Sequence, residues 1–267
     1  MSHLLQIYRA HFRTWTAVQL QYRVAMAIWL IGMVLEPVVY LAVWTNVAKA
    51  SGGTVGGYDV GGFAAYFIAS LLVNHLTFTW HMWDYDYIIR QGLLSPRLLR
   101  PFHPIHADIA ENLSYKTITA IVVWPTAAAL IYLFKPTIPP PGWYWLAFIP
   151  ALIMAFLIQF LLGWAVAMAA FWTTRISAIN RMWFLGKLFF AGQIAPLDLL
   201  PPMLQTVSTI SPYRWILAFP VEMALGRLSI EEALWGLCVQ VVWLVLAVTA
   251  VRLTWQAGIK KYSAFGA

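Results

Sequence analysis

Apolar residues run through this chain in six long stretches, at about residues 24–48, 61–82, 113–134, 143–172, 182–195 with its continuation, and 232–254. Each approaches the roughly 20 residues a helix needs to cross about 30 Å of hydrocarbon, so the pattern predicts six membrane helices. The fourth stretch is longer than a crossing requires and is expected to tilt, project from the bilayer or bend near Pro150. The fifth is too short alone and runs into Gly192 and Pro196, which predicts a broken or re-entrant element. Residues 1–23 show a different pattern: Leu4, Tyr8, Phe12, Trp15, Val18 and Tyr22 share one helical face, with Gln6, Arg9 and Arg13 opposite. That face fits a helix lying in the headgroup layer, or an amphipathic helix packed against protein.

The breaks between stretches differ in kind. The longest charged one, 83–112, carries Asp84, Asp86, Arg90, Arg97, Arg100, Asp108 and Glu111. Within it, Tyr87-Ile88-Ile89 extends the second span just past the bilayer, and Gly92 permits a sharp turn. Ser95 is placed to cap, and Pro96 to start, a helix of one or two turns that Pro101 ends. Such a helix carries leucine knobs at Leu98 and Leu99 and charge at Arg97 and Arg100. It reads either as a rigid docking lever for a soluble partner or as a solvated loop whose arginines hold lipid headgroups. The segment 135–142 is a short loop stiffened by Pro136, Pro139, Pro140 and Pro141. Residues 196–230 are too apolar for a free loop and too interrupted by proline for one spanning helix, so two short helices dipping into the outer leaflet are expected.

Composition agrees with a membrane protein: 61% of the 267 residues are hydrophobic and 10% charged, where soluble domains have about 25% charged. The 15 Trp and 12 Tyr favour the bilayer interface. The net charge of +7 does not point to nucleic acid, because the basic residues are scattered between apolar spans. Topology accounts for them. With a cytoplasmic N-terminus, Arg9, Arg13, Arg23, Arg90, Arg97, Arg100, Lys116, Arg175, Arg181, Lys187, Arg252, Lys260 and Lys261 fall inside, and Lys49, Lys135, Arg214 and Arg227 outside. That bias predicts a multi-pass protein with both termini, and the segment 83–112, in the cytoplasm. Ala48-Lys49-Ala50 mimics a signal-peptidase site, but the run before it is too long and holds Glu36 and Pro37, so an uncleaved first helix is expected. The single cysteine, Cys238, permits no intrachain disulfide.

No catalytic constellation stands out. The one Gly-Lys pair, Gly186-Lys187, has Arg181 and Leu188 where a phosphate-binding loop needs glycine and a hydroxyl, so the chain is not expected to hydrolyse ATP. His75, His81, His103 and His106 lack the cysteine or acid partners of a metal site, and no serine lies in a nucleophile elbow. Polar residues within the spans are more informative, because ionisable groups at membrane depth usually face a bundle interior or cavity. Glu36, Asn74, His75 and Gln193, with the aromatics Trp183, Phe184, Phe189 and Phe190, are the candidates for an amphipathic substrate route. Glu36 and His75 can also be read as the titrating pair of a self-contained proton-coupled carrier. Against both readings, Glu36 can sit near the outer interface, bonded to backbone that Pro37 frees, and the aromatics can simply pack.

Gly92-x-Leu94-Ser95-x-x-Leu98-Leu99-x-Pro101, after the second span, resembles a motif of bacterial ABC-2 type transporter permeases. Ala191-Gly192-Gln193-Ile194-Ala195-Pro196-Leu197-Asp198-Leu199-Leu200-Pro201, then Ser211-Pro212, is similar to the family's Gly…Pro-Leu…Leu-Pro stretch. The tail Gly258-Ile259-Lys260-Lys261-Tyr262-Ser263-Ala264-Phe265-Gly266 resembles its basic, tyrosine-containing ending. Ser95 stands where aspartate is often expected; both can cap a helix. The resemblance implies one all-α transmembrane domain over 1–267: six spans, an interfacial helix at 1–23, a cytoplasmic coupling segment and outer re-entrant helices. It further implies a non-catalytic subunit of the bacterial inner membrane, paired with a second, same or similar permease and with a dimer of a separate ATPase that holds the ATP and Mg. Arg90 and Gly92 to Pro101 would meet that ATPase. Export of hydrophobic drugs, lipids or glycans is the implied activity.

Overall fold

The computed structural model describes residues 3–262 except 174, and the side chains among them except those of residues 3, 4 and 23. Leu4 of the predicted amphipathic face, Arg23 of the charge asymmetry and the tail from Ser263 to Gly266 therefore lie outside the described residues. The chain is a bundle of helices: α1 (His3–Gln21), α2 (Arg23–Ala50), α3 (Val60–Thr77), α4 (His81–Arg90), α5 (Ser95–Leu98), α6 (Ile105–Phe134), α7 (Trp143–Ala167), α8 (Ser177–Phe190), α9 (Pro202–Ile210), α10 (Tyr213–Ile216), α11 (Ala218–Ala224) and α12 (Ile230–Ile259). Among the described residues five helical segments are long and apolar enough to cross a membrane: Val24–Ala50, Val60–Arg90, Ile105–Phe134, Trp143–Phe171 and Ile230–Ile259. The fifth apolar stretch is not among these five, because its helix is too short. At 14 residues, α8 spans about 21 Å, and the turn at Gly192 (φ +79) ends its direction.

The architecture is not purely helical. Strands β1 (Thr54–Val55) and β2 (Tyr58–Asp59) form a small antiparallel hairpin between α2 and α3, turned by Gly56 and Gly57 in the left-handed region. Asp59 then caps α3, accepting from the Gly62 N–H at 2.6 Å.

The second apolar stretch is broken where neither glycine nor proline marks a break. Residues 78–80 leave the helix between α3 and α4, so carbonyls near the break lose their helical partners. Unpaired backbone at membrane depth is costly and must be satisfied by protein. Lys116 of α6 does this: its Nζ donates to the Phe78 carbonyl at 2.6 Å and to Asn112 Oδ1 at 2.6 Å. Lys116 is buried, as is Lys187, so neither is the loop charge that the topology count supposed.

The two ends of the bundle are built differently. At one end α9, α10 and α11 replace the two short helices expected over 196–230, and α10–α11 are buried against α7 and α12. The Gln240 amide of α12 donates to the carbonyls of Ala151 and Trp215 at 3.0 and 2.8 Å, and Arg214 pairs with Glu222 at 2.7 Å. Gly186 belongs to packing here, since a Cβ on it would lie 2.5 Å from the Tyr213 hydroxyl. At the other end α1 lies along α6, with Tyr8 OH to His106 Nδ1 at 3.0 Å and Thr16 Oγ1 to Ser114 Oγ at 2.9 Å. Protein therefore covers part of the face expected to meet headgroups. α2 is the least covered span: Val24, Ile28, Trp29, Ile31, Leu35, Val39 and Val43 are exposed.

Lys116→Met removes the donor at the break and leaves the Phe78 carbonyl unsatisfied, which costs about 1–3 kcal/mol. A lower thermal midpoint in detergent, with faster amide exchange at residues 77–82 than at the α10–α11 end, is the expected outcome.

Candidate functional site

The polar break opens with α4, whose last turn carries an exposed Arg90–Asp86 pair at 2.7 Å, worth little in solvent. Gly92 (φ +69) reverses the chain in a conformation that disfavours a side chain. Ser95 begins α5, Pro96 occupies its first turn, and the chain leaves through Pro101 and Pro104 into α6. The short helix forms, but Ser95 is not its N-cap: Leu94 holds that position without a side-chain cap bond. Instead the Ser95 N–H and Oγ meet the Tyr262 hydroxyl at 3.1 and 2.9 Å. The Ser95 N–H also donates to the Gly92 carbonyl at 3.1 Å, so the tyrosine adds a second, long-range partner and occupies the hydroxyl that a local cap would have used.

Beneath α5 lies the Asp108 carboxylate of α6, 4% exposed. It accepts from Arg97 Nη1 at 2.9 Å, from the Tyr85 hydroxyl of α4 at 2.6 Å and from Trp164 Nε1 of α7 at 3.0 Å. Burial is the largest single influence and opposes the charge on Arg97, yet Asp108, Tyr85 and Glu111 together outweigh it and hold the guanidinium pKa above its ordinary value. Leu94 is fully buried and Leu98 half-buried against the same cluster. His103 packs between the rings of Trp164 and Trp255, and burial, then His106, lower its pKa. What remains on the outer face is Pro96, Leu99 and Arg100, with Leu99 88% exposed. α5 is therefore a bolted knob: charged and apolar anchors inward, one leucine and one arginine outward.

Beside it a cavity of about 950 Å³ opens between α1, α2, the α3–α4 break, α6 and α8. Four of the eight predicted pathway residues line it: Glu36, Asn74, Phe184 and Gln193. Gln193 Nε2 donates to Glu36 Oε1 at 2.9 Å, and Lys187 Nζ donates to Asn74 Oδ1 at 2.7 Å. The other four lie elsewhere. Trp183 and Phe190 pack on Tyr213, Phe189 is exposed on α8, and His75 is buried outside the lining. Glu36 and His75 do not meet, because the Glu36 carboxylate is held by Gln193 and neither ring nitrogen of His75 has a partner among the described residues. That removes the paired groups a self-contained carrier was read to use.

Sequence reasoning missed Lys187, Asp84, Glu111, Phe78, Trp80, Trp83 and Tyr115 as lining residues. On an unbroken helix Phe78 and Trp80 would point about 200° apart. The unmarked break changes the phase and turns both to one cavity. Asp84 and Glu111 counted only as loop charges, and the abundance of tryptophan in the region was the one available signal.

A family model described as ABC-2 family transporter protein matches residues 18–266. No curated protein and no solved structure matches the chain.

Two substitutions test the anchoring. Asp108→Ala strands a part-buried guanidinium and two buried donors, a loss of about 3–5 kcal/mol, whereas Asp86→Ala at the exposed pair changes stability by less than about 1 kcal/mol; urea or thermal titration in detergent compares them. Tyr262→Phe deletes the hydroxyl alone, and the Ser95 amide is expected to exchange faster in hydrogen–deuterium measurements while the bundle midpoint stays put.

Proposed function

Because the chain belongs to the ABC-2 transporter family, we propose that it is the transmembrane permease subunit of an ATP-driven exporter. In this reading it supplies half of a pathway for a hydrophobic or amphipathic substrate, the other half coming from a second, same or similar permease. It is itself non-catalytic. ATP and Mg belong to a dimer of a separate ATPase, and the assembly sits in a bacterial plasma membrane.

The observation that carries this reading is α5. An exposed leucine and arginine just past the end of a short helix fixed inward by a part-buried ion pair suit the transfer of force from a soluble partner, since a push on the outer face cannot be absorbed locally. Displacing α5 would move Asp108 and with it α4, α6 and α7, while the Ser95–Tyr262 bond carries the motion to the end of α12. α4 and α6 also wall the cavity, so the same motion reshapes it. The α5 end would be cytoplasmic: Arg9, Arg13, Arg90, Arg100, Arg175, Lys260 and Lys261 gather with it, and Lys49, Lys135 and Arg227 mark the opposite end. With that orientation both termini are cytoplasmic, α1 lies at the inner headgroups, α8 with its continuation completes a sixth span, and α9–α11 dip in from outside. The bare face of α2 supports contact with lipid or with the second permease.

Leu99→Glu combined with Arg100→Glu alters only the outward face, unlike changes at Arg97, which would break the anchor. The double variant is expected to keep the wild-type thermal midpoint and to lose at least about tenfold in ATPase recovered on co-purification, equivalent to about 1.4 kcal/mol. Undiminished recovery would contradict the coupling role of α5.

A further inference from the structure

The cavity wall has a chemistry that narrows its occupant. Five rings run along it in contact: Tyr115 to Trp80 with centroids 4.4 Å apart, Trp80 to Phe78 at 6.4 Å, Phe78 to Phe184 at 6.2 Å and Phe184 to Trp83 at 5.7 Å. They come from the α3–α4 break, α4, α6 and α8, so the wall exists only in the folded bundle. The carboxylates of Asp84 and Glu111 line the same space. Asp84 adjoins Trp83 in the chain and lies one helical turn beyond Trp80; Glu111 lies one turn before Tyr115. Among the described residues neither carboxylate has a hydrogen-bond or ion-pair partner, although other acids in the bundle, Asp108 and Glu222, have arginines.

The charge balance has a sign. Among the described residues, Glu36, Asp84 and Glu111 contribute three carboxylates to the lining against one ammonium, that of Lys187. That ammonium is already held by Asn74, and it lies 5.8 Å from the centroid of Phe78, at the edge of the ring wall. One cation–π contact is thus already made on this wall, with the carboxylate end unmatched. An acid drawn partly out of water beside an aromatic surface is relieved either by taking up a proton or by a cation that joins it, and aromatic faces attract a poorly hydrated cation by about 0.5–2 kcal/mol each. The volume lies within the range of small-molecule sites.

We propose that this cavity binds a lipophilic cation, an amphiphile with one net positive charge such as a quaternary ammonium, a protonated amine or a phosphonium. Its apolar body lies along the five rings and its charge is met by Asp84 and Glu111. An anion would face the unmatched carboxylates, and a zwitterion would bring a second charge for which Lys187 is already committed. Naming this molecule as cargo rests on the permease reading; its binding does not, because no ATPase is needed for it.

The test uses the purified full chain in detergent and two probes of the same shape, tetraphenylphosphonium and tetraphenylborate, measured by equilibrium dialysis. The cation is expected to bind at least tenfold more tightly than the borate. Asp84→Asn combined with Glu111→Gln is expected to lower cation affinity at least tenfold, Trp80→Leu to lower it several-fold, and Glu231→Gln, exposed on α12 outside the cavity, to leave it unchanged. Elution profile and thermal midpoint confirm the fold of each variant. Equal or tighter binding of the borate by the wild-type chain overturns the proposal whatever the variants do. So does undiminished cation affinity in a folded Asp84→Asn, Glu111→Gln chain. A chain that recruits its ATPase but prefers the anion refutes the cation site alone; one that binds the cation but recruits no ATPase refutes the coupling reading alone.

Discussion

A single carboxylate gathers this bundle at one end. Asp108 receives a guanidinium, a phenol and an indole from three different elements while anchored in the first turn of a long helix. A buried charge is tolerable only when its lone pairs are taken up, and charge-assisted bonds are the strong ones. The arrangement therefore demands that α4, α5 and α7 stay in one relation to α6. Such a pair adds little net stability compared with an apolar replacement, but it makes most alternative arrangements expensive. The short helix α5 could not hold its position otherwise, since four residues form too little helix to persist alone.

The second organising feature is a defect. The α3–α4 break abandons backbone hydrogen bonds at membrane depth, and Lys116 replaces one of them from the side. The break also turns Phe78 and Trp80 to the same space, where Trp83, Tyr115 and Phe184 meet them. The interruption of one span and the aromatic wall of the cavity are thus one event. The cavity and α5 share α4 and α6, and the Asp108 anchor bonds α5 to both of these helices.

Much of this was legible in the sequence because it follows from periodicity and backbone chemistry. Apolar length set the five long spans and exposed the deficit of the fifth stretch; Gly92, Pro96 and Pro101 bounded α5; Glu36, Asn74, Phe184 and Gln193 were polar or aromatic where a cavity could use them. Ser95 shows the limit. Its spacing to Pro96 is that of a cap, yet its hydroxyl meets Tyr262, 167 positions away, and no local rule carries that information. Lys116 and Lys187 likewise read only as charges on the cytoplasmic side, because a lysine and the oxygen it serves are unrelated in sequence.

The sequence by itself determined that this is a helical membrane protein, where its long helices run, and that a charged, proline-bounded turn interrupts them, because burying apolar length and terminating helices are local properties. Only the tertiary structure decided which charges are anchors and which face outward, that Glu36 answers Gln193 rather than His75, and that a span without glycine or proline breaks at 78–80. Those outcomes depend on which donors and acceptors converge once the helices pack. Hydrogen bonds and ring contacts of that kind are satisfied across distant segments, and it is their mutual satisfaction that turns six apolar stretches into a cavity with a handle.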